Sequence, residues 1–326
     1  MPRTWRSSRD LGSLPIEIVN ARVARCKRAF IALGLKTLVW KRFLLDEIEG
    51  SEIPPNEAAV WYLGGAGIAI KGGSALIYID PYFGGSPSRE WLRLIAVPVD
   101  PNEVKLADAI LSTHEHEDHC HRDTVIPILK RTQAVFIGPS SSAARAKSWL
   151  AEENLDASRV IEVEPGSAIE VNGLRVRALA SGDANAESAV TYLIETPGGN
   201  LFHGGDTQYF PGLADIGDRF TIDVAFISVG KAPRGRRDYM TACEAIKAAL
   251  DLRTKILIPM HYDLWKATRE DPQLVEHVAK AWRAPVEVVV LSLGIRSGYA
   301  STCQPPNGGN QFLPGGSQRT GGELGR

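Results

Sequence analysis

Between residues 58 and 82 the chain alternates short apolar runs with glycine turns. "AVWYLGGAGIAIKGGSALIYIDPY" reads as three strands, Val60–Leu63, Ile68–Lys71 and Ala75–Asp80. Upstream, from Ala21 to Ile48, apolar residues recur at helical spacing and predict one or two helices. "EGSEIPPNE", Glu49 to Glu57, breaks that period and marks a boundary. Downstream, an apolar run at Ala109–Ser112 precedes a helix at Arg122–Arg131, a strand at Val135–Gly138 and a helix at Ser141–Glu152. Strands come next at Val160–Val163, Leu174–Ala180, Ala189–Thr196, Leu201–His203 and Val224–Val229. A helix at Thr241–Leu250, a strand at Ile256–Pro259, a helix at Gln273–Arg283 and a strand at Val286–Leu291 close the pattern.

Strands in bunches with helices between them predict an α/β architecture, two sheets face to face with helices outside. The organisation expected is a helical extension over 1–48, one domain over 49–300 and a tail over 301–326. That tail is rich in Gly, Pro and Gln and nearly free of apolar residues, so disorder is expected there.

The net charge of −1 over 326 residues gives no global pull toward nucleic acid, and no nucleic-acid partner is expected. Cys26, Cys120, Cys243 and Cys303 are scattered without a CxxC pair, which fits a reducing cytoplasm. No apolar run is long enough to cross a bilayer. Residues 1–42 carry ten Lys/Arg against Asp10 and Glu17. A solvated basic face on a helical extension is the expected reading, with a membrane-surface role the less favoured alternative. Homo-oligomerisation is left open.

The densest chemistry is "LSTHEHEDHCH", Leu111 to His121, where four of the seven histidines fall within eight residues. Ser112 ends an apolar strand, so the next residues lie in the loop at its carboxyl end, where functional groups collect on a rigid scaffold. Side chains two apart in extended chain point the same way, so His114 and His116 can reach one metal ion. Asp118 and His119 come as the chain turns toward the next helix and can face a second. Downstream, "NLFHGGDTQYF" puts Asp206 behind a Gly-Gly turn after a strand, and "KILIPMHYDLW" puts His261 directly after another. Asp206 has two oxygens to bridge two ions, and His261 can complete the second. Imidazole and carboxylate donors suit zinc, manganese or iron.

Other polar residues carry weaker signals. His203 is read as a core histidine or one supporting the site. His121 is read as a surface histidine or one supporting the site, with leaving-group protonation as an alternative. His277 is expected in solvent and Cys120 in packing. Lys231 and Arg234 in "GKAPRGRRDYM" come after a strand that should end on the same rim. They are candidates for gripping an anionic substrate, against the alternative of a solvated basic loop.

The HxHxDH pattern of His114, His116, Asp118 and His119, with Asp206 in "GGDT" and His261 in "IPMHYD", resembles the metallo-β-lactamase-fold hydrolases. The resemblance spans about Val60 to Leu293 and implies an αββα four-layer sandwich. It also implies that Asp80, in "IYIDPY", sits behind the metals and orients a ligand. Within that superfamily the chain is similar to the L-ascorbate-6-phosphate lactonase group through "WYLGGAGIAIK", "FIGPSS", "ETPGGNLFHGGDTQYF", "APRGRRDYMTACEA" and "IPMHYDLW". Most of the superfamily carries a further histidine for the first metal, and this chain has no histidine between His121 and His203. Asp183, in "ALASGDANAES", is the candidate for that place, against the alternative that it caps a turn.

The function implied is a metal-dependent hydrolase using a metal-bound hydroxide held by two divalent ions, Zn or Mn, with Asp118 as a ligand that also steers the proton. A lactonase or related hydrolase of a small anionic substrate leads. A phosphodiesterase of the N-acylphosphatidylethanolamine phospholipase D or nucleotide type is the alternative. A di-iron redox protein and a non-catalytic metal-binding regulator rank below.

Overall fold

The computed structural model describes residues 16–18, 37–232, 237–291 and 293. The 301–326 tail, most of the basic N-terminus and Arg234 lie outside the described residues. The first sheet runs in the order β1 (Ile16–Ile18), β2 (Ala58–Gly64), β3 (Gly67–Gly72), β4 (Ala75–Ile79), β5 (Ala109–Leu111), β6 (Val135–Gly138) and β7 (Val160–Glu162). The second sheet contains β8 (Ala168–Val171), β9 (Leu174–Ala180), β10 (Val190–Thr196), β11 (Gly199–His203), β12 (Val224–Ser228), β13 (Ile256–Met260) and β14 (Glu287–Val288). In each sheet an antiparallel meander passes into parallel strands. β2, β3 and β4 are antiparallel and β4 through β7 parallel. β8 through β11 are antiparallel and β11 through β14 parallel.

Side-chain alternation explains why the strands read as unbroken apolar runs. On β2, Val60 and Tyr62 enter the core between the sheets, while Ala59, Trp61 and Leu63 face the helical layer. On β12, Val224 and Phe226 face inward, and Ala225 and Ile227 outward. Both faces are dry, so both sets are hydrophobic. The outer layer of the first sheet is built by α1 (Thr37–Gly50), α2 (Arg122–Arg131) and α3 (Ser140–Glu152). Leu44, Leu45 and Ile48 of α1 pack there with Val125 and Leu129 of α2 and Leu150 of α3. The second sheet is covered by α4 (Gly212–Arg219), α5 (Ala242–Asp251) and α6 (Gln273–Trp282). This is the four-layer αββα order.

Three elements differ from the sequence pattern. β1 pairs parallel with β2, Ile16 opposite Ala58, within a stretch read as helical extension. β8 is an edge strand with only Val171 fully buried, so its apolar signal is weak. α4 was hidden by its glycines. At Gly217 a Cβ would come within 2.1 Å of the Asp251 carbonyl oxygen, so only glycine lets α4 approach the end of α5. None of the described helices is long and apolar enough to cross a membrane.

Parallel pairing brings the carboxyl ends of β4 and β5 to one rim, and those of β11, β12 and β13 to another. The two sheets are tied together at that end. His114 bridges Ala189, Val190 N–H donates to Thr113 O at 3.0 Å, and Tyr192 OH donates to Ser112 O at 2.9 Å.

Candidate metal centre

After β5 the chain does not enter the next helix at once. The N–H groups of His119 and Cys120 both donate to the His116 carbonyl, at 3.0 and 2.8 Å, and α2 begins only at Arg122. This turn folds Asp118 and His119 back beside His114 and His116. Across the rim, the Gly204-Gly205 turn delivers Asp206. Gly205 has φ +55°, and a Cβ there would meet Thr113 Oγ1 at 2.7 Å. His261 comes directly after β13 with φ 65°, a left-handed conformation costly for a bulky ring side chain. Its N–H is pinned to Gly65 O at 2.9 Å.

Two clusters result. His114, His116 and Asp206 place donor atoms within 4.8 Å of one another, and so do Asp118, His119 and His261. Asp206 lies between them, its Oδ2 3.2 Å from His119 Nε2 and 3.9 Å from His114 Nε2, its Oδ1 3.6 Å from His261 Nε2. His114 Nε2 is 2.9 Å from His116 Nδ1, and His119 Nε2 is 3.2 Å from His261 Nε2. Two nitrogens sharing a tetrahedral ion at about 2.1 Å each would stand about 3.4 Å apart, so these spacings suit a common ion. Asp206 Oδ1 and Asp183 Oδ2 are buried with no hydrogen-bond partner, the state of donors that fit a cation. Asp183 Oδ2 is 3.9 Å from His114 Nε2, and its side chain is 2% exposed. Its Oδ1 accepts the Asn185 N–H at 2.9 Å, so the turn-capping reading and the ligand reading each have one oxygen.

The ring tautomers are set by the partners behind them. Asp80 Oδ2 accepts the His119 Nδ1–H at 2.8 Å and the Thr113 hydroxyl at 2.7 Å. Thr113 Oγ1 in turn lies 3.1 Å from His114 Nδ1, which can donate to it. Both rings then aim Nε2 at the cluster. Asp80 itself has φ 46° and also accepts the Thr113 N–H. Thr113, inside the histidine motif, carries no ligand signal of its own in the sequence. His203 accepts the Gly205 N–H on Nδ1 at 3.2 Å and donates from Nε2 to Ala66 O at 2.8 Å. It thus braces the glycine turn that carries Asp206.

Charge at the centre is unevenly held. Burial, helped by the charge of His119, pushes His114 down to about 3, so its ring is neutral. Burial also opposes charge on His119, but Asp206, Asp80 and Asp118 together raise its pKa well above the usual range. For His261 burial is likewise outweighed by Asp206 and Asp118, and the pKa rises. Asp206 and Asp118 are held ionised despite burial, mainly by His119 and His261. Asp183 goes the other way: burial raises it.

Residues around the clusters complete the walls. The Trp265 indole N–H donates to Asp118 Oδ2 at 2.6 Å, and the Tyr239 ring lies 4.6 Å from that of His261. Neither stands out in the sequence, although Trp265 is only four residues past His261. Glu115 faces away from both clusters, accepting from Ser141 Oγ at 2.7 Å and Glu187 N–H at 2.8 Å. His121 contacts Thr124 Oγ1 and the edge of Tyr82. Cys120 is buried, with its thiol pushed up to about 11 by burial, and His277 is exposed on α6. Lys231 donates its backbone N–H to Thr268 O at 3.0 Å and exposes its side chain.

Residues 76–262 match the family model described as "Beta-lactamase superfamily domain". A "Probable L-ascorbate-6-phosphate lactonase UlaG" from Salmonella newport is 31% identical, with 72% of this chain and 77% of that protein covered. Among solved structures, Igni18, a metallo hydrolase from the archaeon Ignicoccus hospitalis, matches with TM-score 0.56 at 22% identity. The match covers 71% of this chain and 93% of Igni18. CmlA, a diiron beta-hydroxylase from Streptomyces venezuelae, matches with TM-score 0.56 at 17% identity, covering 74% of this chain and 54% of CmlA. At these identities the two solved structures share the fold alone.

Proposed function

The chain is a metal-dependent hydrolase belonging to the metallo-β-lactamase superfamily, and from that premise we propose that it opens a lactone, or a closely related bond, in a small anionic substrate. The observation that carries this reading is the paired donor clusters with Asp206 between them. Likeness to a lactonase along most of both chains supports the substrate class. His114, His116, Asp206 and Asp183 would hold one divalent ion; Asp118, His119, His261 and Asp206 the other, as zinc or manganese. Such ions supply the charge that makes water nucleophilic near neutral pH and polarises the oxygen of the attacked group.

The chain's own contribution is orientation. Asp80 and Thr113 keep Nε2 of His119 and of His114 facing the cluster. The neutral His114 offers a lone pair without first losing a proton. Tyr239 and Trp265 wall the His261 side against water. Lys231, with Arg234 beyond it in sequence, would meet the anionic group of the substrate.

The test is a metal analysis of protein purified without chelator, with a screen of lactones and phosphodiesters that includes L-ascorbate 6-phosphate. Two ions per chain and faster opening of phosphorylated than of neutral lactones are expected. Turnover of phosphodiesters alone would replace this reading with the phosphodiesterase one.

A further inference from the structure

Trp265 is 3% exposed, and its N–H points at Asp118 Oδ2 from 2.6 Å. The same oxygen lies 3.2 Å from His261 Nε2. An indole N–H donates and cannot ligate, so its partner is the carboxylate and not an ion. The ring is held on two sides, by Tyr82 at 5.5 Å and Trp91 at 6.0 Å between centroids. The backbone is held as well. Trp265 bridges Arg93, with Leu94 N–H donating to Leu264 O at 2.8 Å and Lys266 N–H to Leu92 O at 2.9 Å. The Arg93 guanidinium then gathers its own loop, donating to Tyr82 O at 3.2 Å, Gly84 O at 3.0 Å and Ile95 O at 2.9 Å. A partly buried cation thus fixes the loop that pairs with Trp265.

We propose that Trp265 is a positioning residue for Asp118, holding its carboxylate in one rotation toward the ion shared with His119 and His261. The inference rests on the reading of Asp118 as a ligand. A carboxylate turns freely in a broad torsional well, so a ligating Asp needs a second partner to set its plane. Partners of this kind are worth about 10- to 100-fold in metal affinity.

The experiment measures stepwise zinc binding in chelator-buffered zinc for the full chain and for Trp265→Phe, Trp91→Phe and Asp118→Asn. Melting temperatures of the metal-free proteins are measured alongside. Phenylalanine keeps a packed ring and removes the donor. Trp265→Phe is expected to weaken one zinc step about 10- to 100-fold, to leave the other step unchanged, and to keep the metal-free melting temperature. Trp91→Phe, which disturbs the same aromatic packing without touching Asp118, is expected to bind zinc like the parent. Parent-like zinc binding in Trp265→Phe would overturn the proposal, as would an equal loss in Trp91→Phe. Parent-like binding of both ions by Asp118→Asn would instead overturn the ligand reading beneath it.

Discussion

Asp80, directly after β4, and His119, in the turn that follows the neighbouring parallel strand β5, meet in a fully buried hydrogen bond of 2.8 Å. The carboxylate sits behind the ring and leaves Nε2 as the face toward Asp206. Asp80→Asn keeps a residue that tolerates its positive φ but puts an amide where the acceptor stood. Metal affinity of the Asp118–His119–His261 cluster should fall about 10- to 100-fold, with the fold retained. Metal content after dialysis, with circular dichroism as the control, reads this out.

Asp206 stands within 4 Å of nitrogens from both clusters. Asp206→Ala should lower the metal content and reduce hydrolysis by more than about 100-fold, since a shared ligand exceeds an outer partner in weight. A variant with parental turnover would remove Asp206 from the centre.

Asp183 keeps one oxygen on the Asn185 N–H and leaves the other buried and unpaired. Asp183→Ala should lose about one ion per chain. Asp183→His should keep both and shift preference toward zinc over manganese, because imidazole is the softer donor. Unchanged stoichiometry in the alanine variant would make Asp183 a turn residue.

Metal loading should be linked to proton release. In the metal-free chain His119 and His261 have pKa values raised by carboxylates, whereas His114 is neutral down to about pH 3. Binding at pH 7 should therefore expel a proton from His119 and none from His114. Calorimetry in buffers of different ionisation enthalpy measures the release. Stability of the metal-free chain is bounded from both sides of the pH scale. The raised folded pKa of His119 adds stability below its unfolded value near 6.5, lost as pH rises through the folded value. The depressed carboxylates Asp118 and Asp206 add stability above about 4, lost on acidification. His114 adds to the acid loss, since below about 6.5 the unfolded chain takes a proton that the buried ring refuses. The metal-free melting temperature should thus fall on acidification and fall again as pH rises through the folded His119 value.

Lys231 exposes its side chain after β12, and Arg234 stands three residues on. Each alanine variant should raise KM for an anionic substrate about 10-fold and spare a neutral one, with kcat little changed, as expected for charged hydrogen bonds made equally in ground and transition states. An equal loss on both substrates would point to a structural role for the loop.

What the sequence determined by itself is what local physics writes into it. Unbroken apolar runs on β2 and β12, glycine turns and the histidine spacing are all short-range, so the strands and the residues waiting at their ends were legible. The edge strand β8 and the glycine-bearing α4 were not, because their burial is partial or depends on a distant neighbour. The grouping of donors was an expectation from the sequence, but only the tertiary structure brings the donors of each cluster within reach of one another. His119 and His261 are 142 residues apart in sequence and 3.2 Å apart in space. It also decided what stands behind them. Thr113, Trp265 and Tyr239 carry no metal-ligand signal, and their place at the centre comes from sheet pairing and from the Arg93 bridge. Side-chain type is a property of the chain, but the direction of a hydrogen bond is a property of the fold.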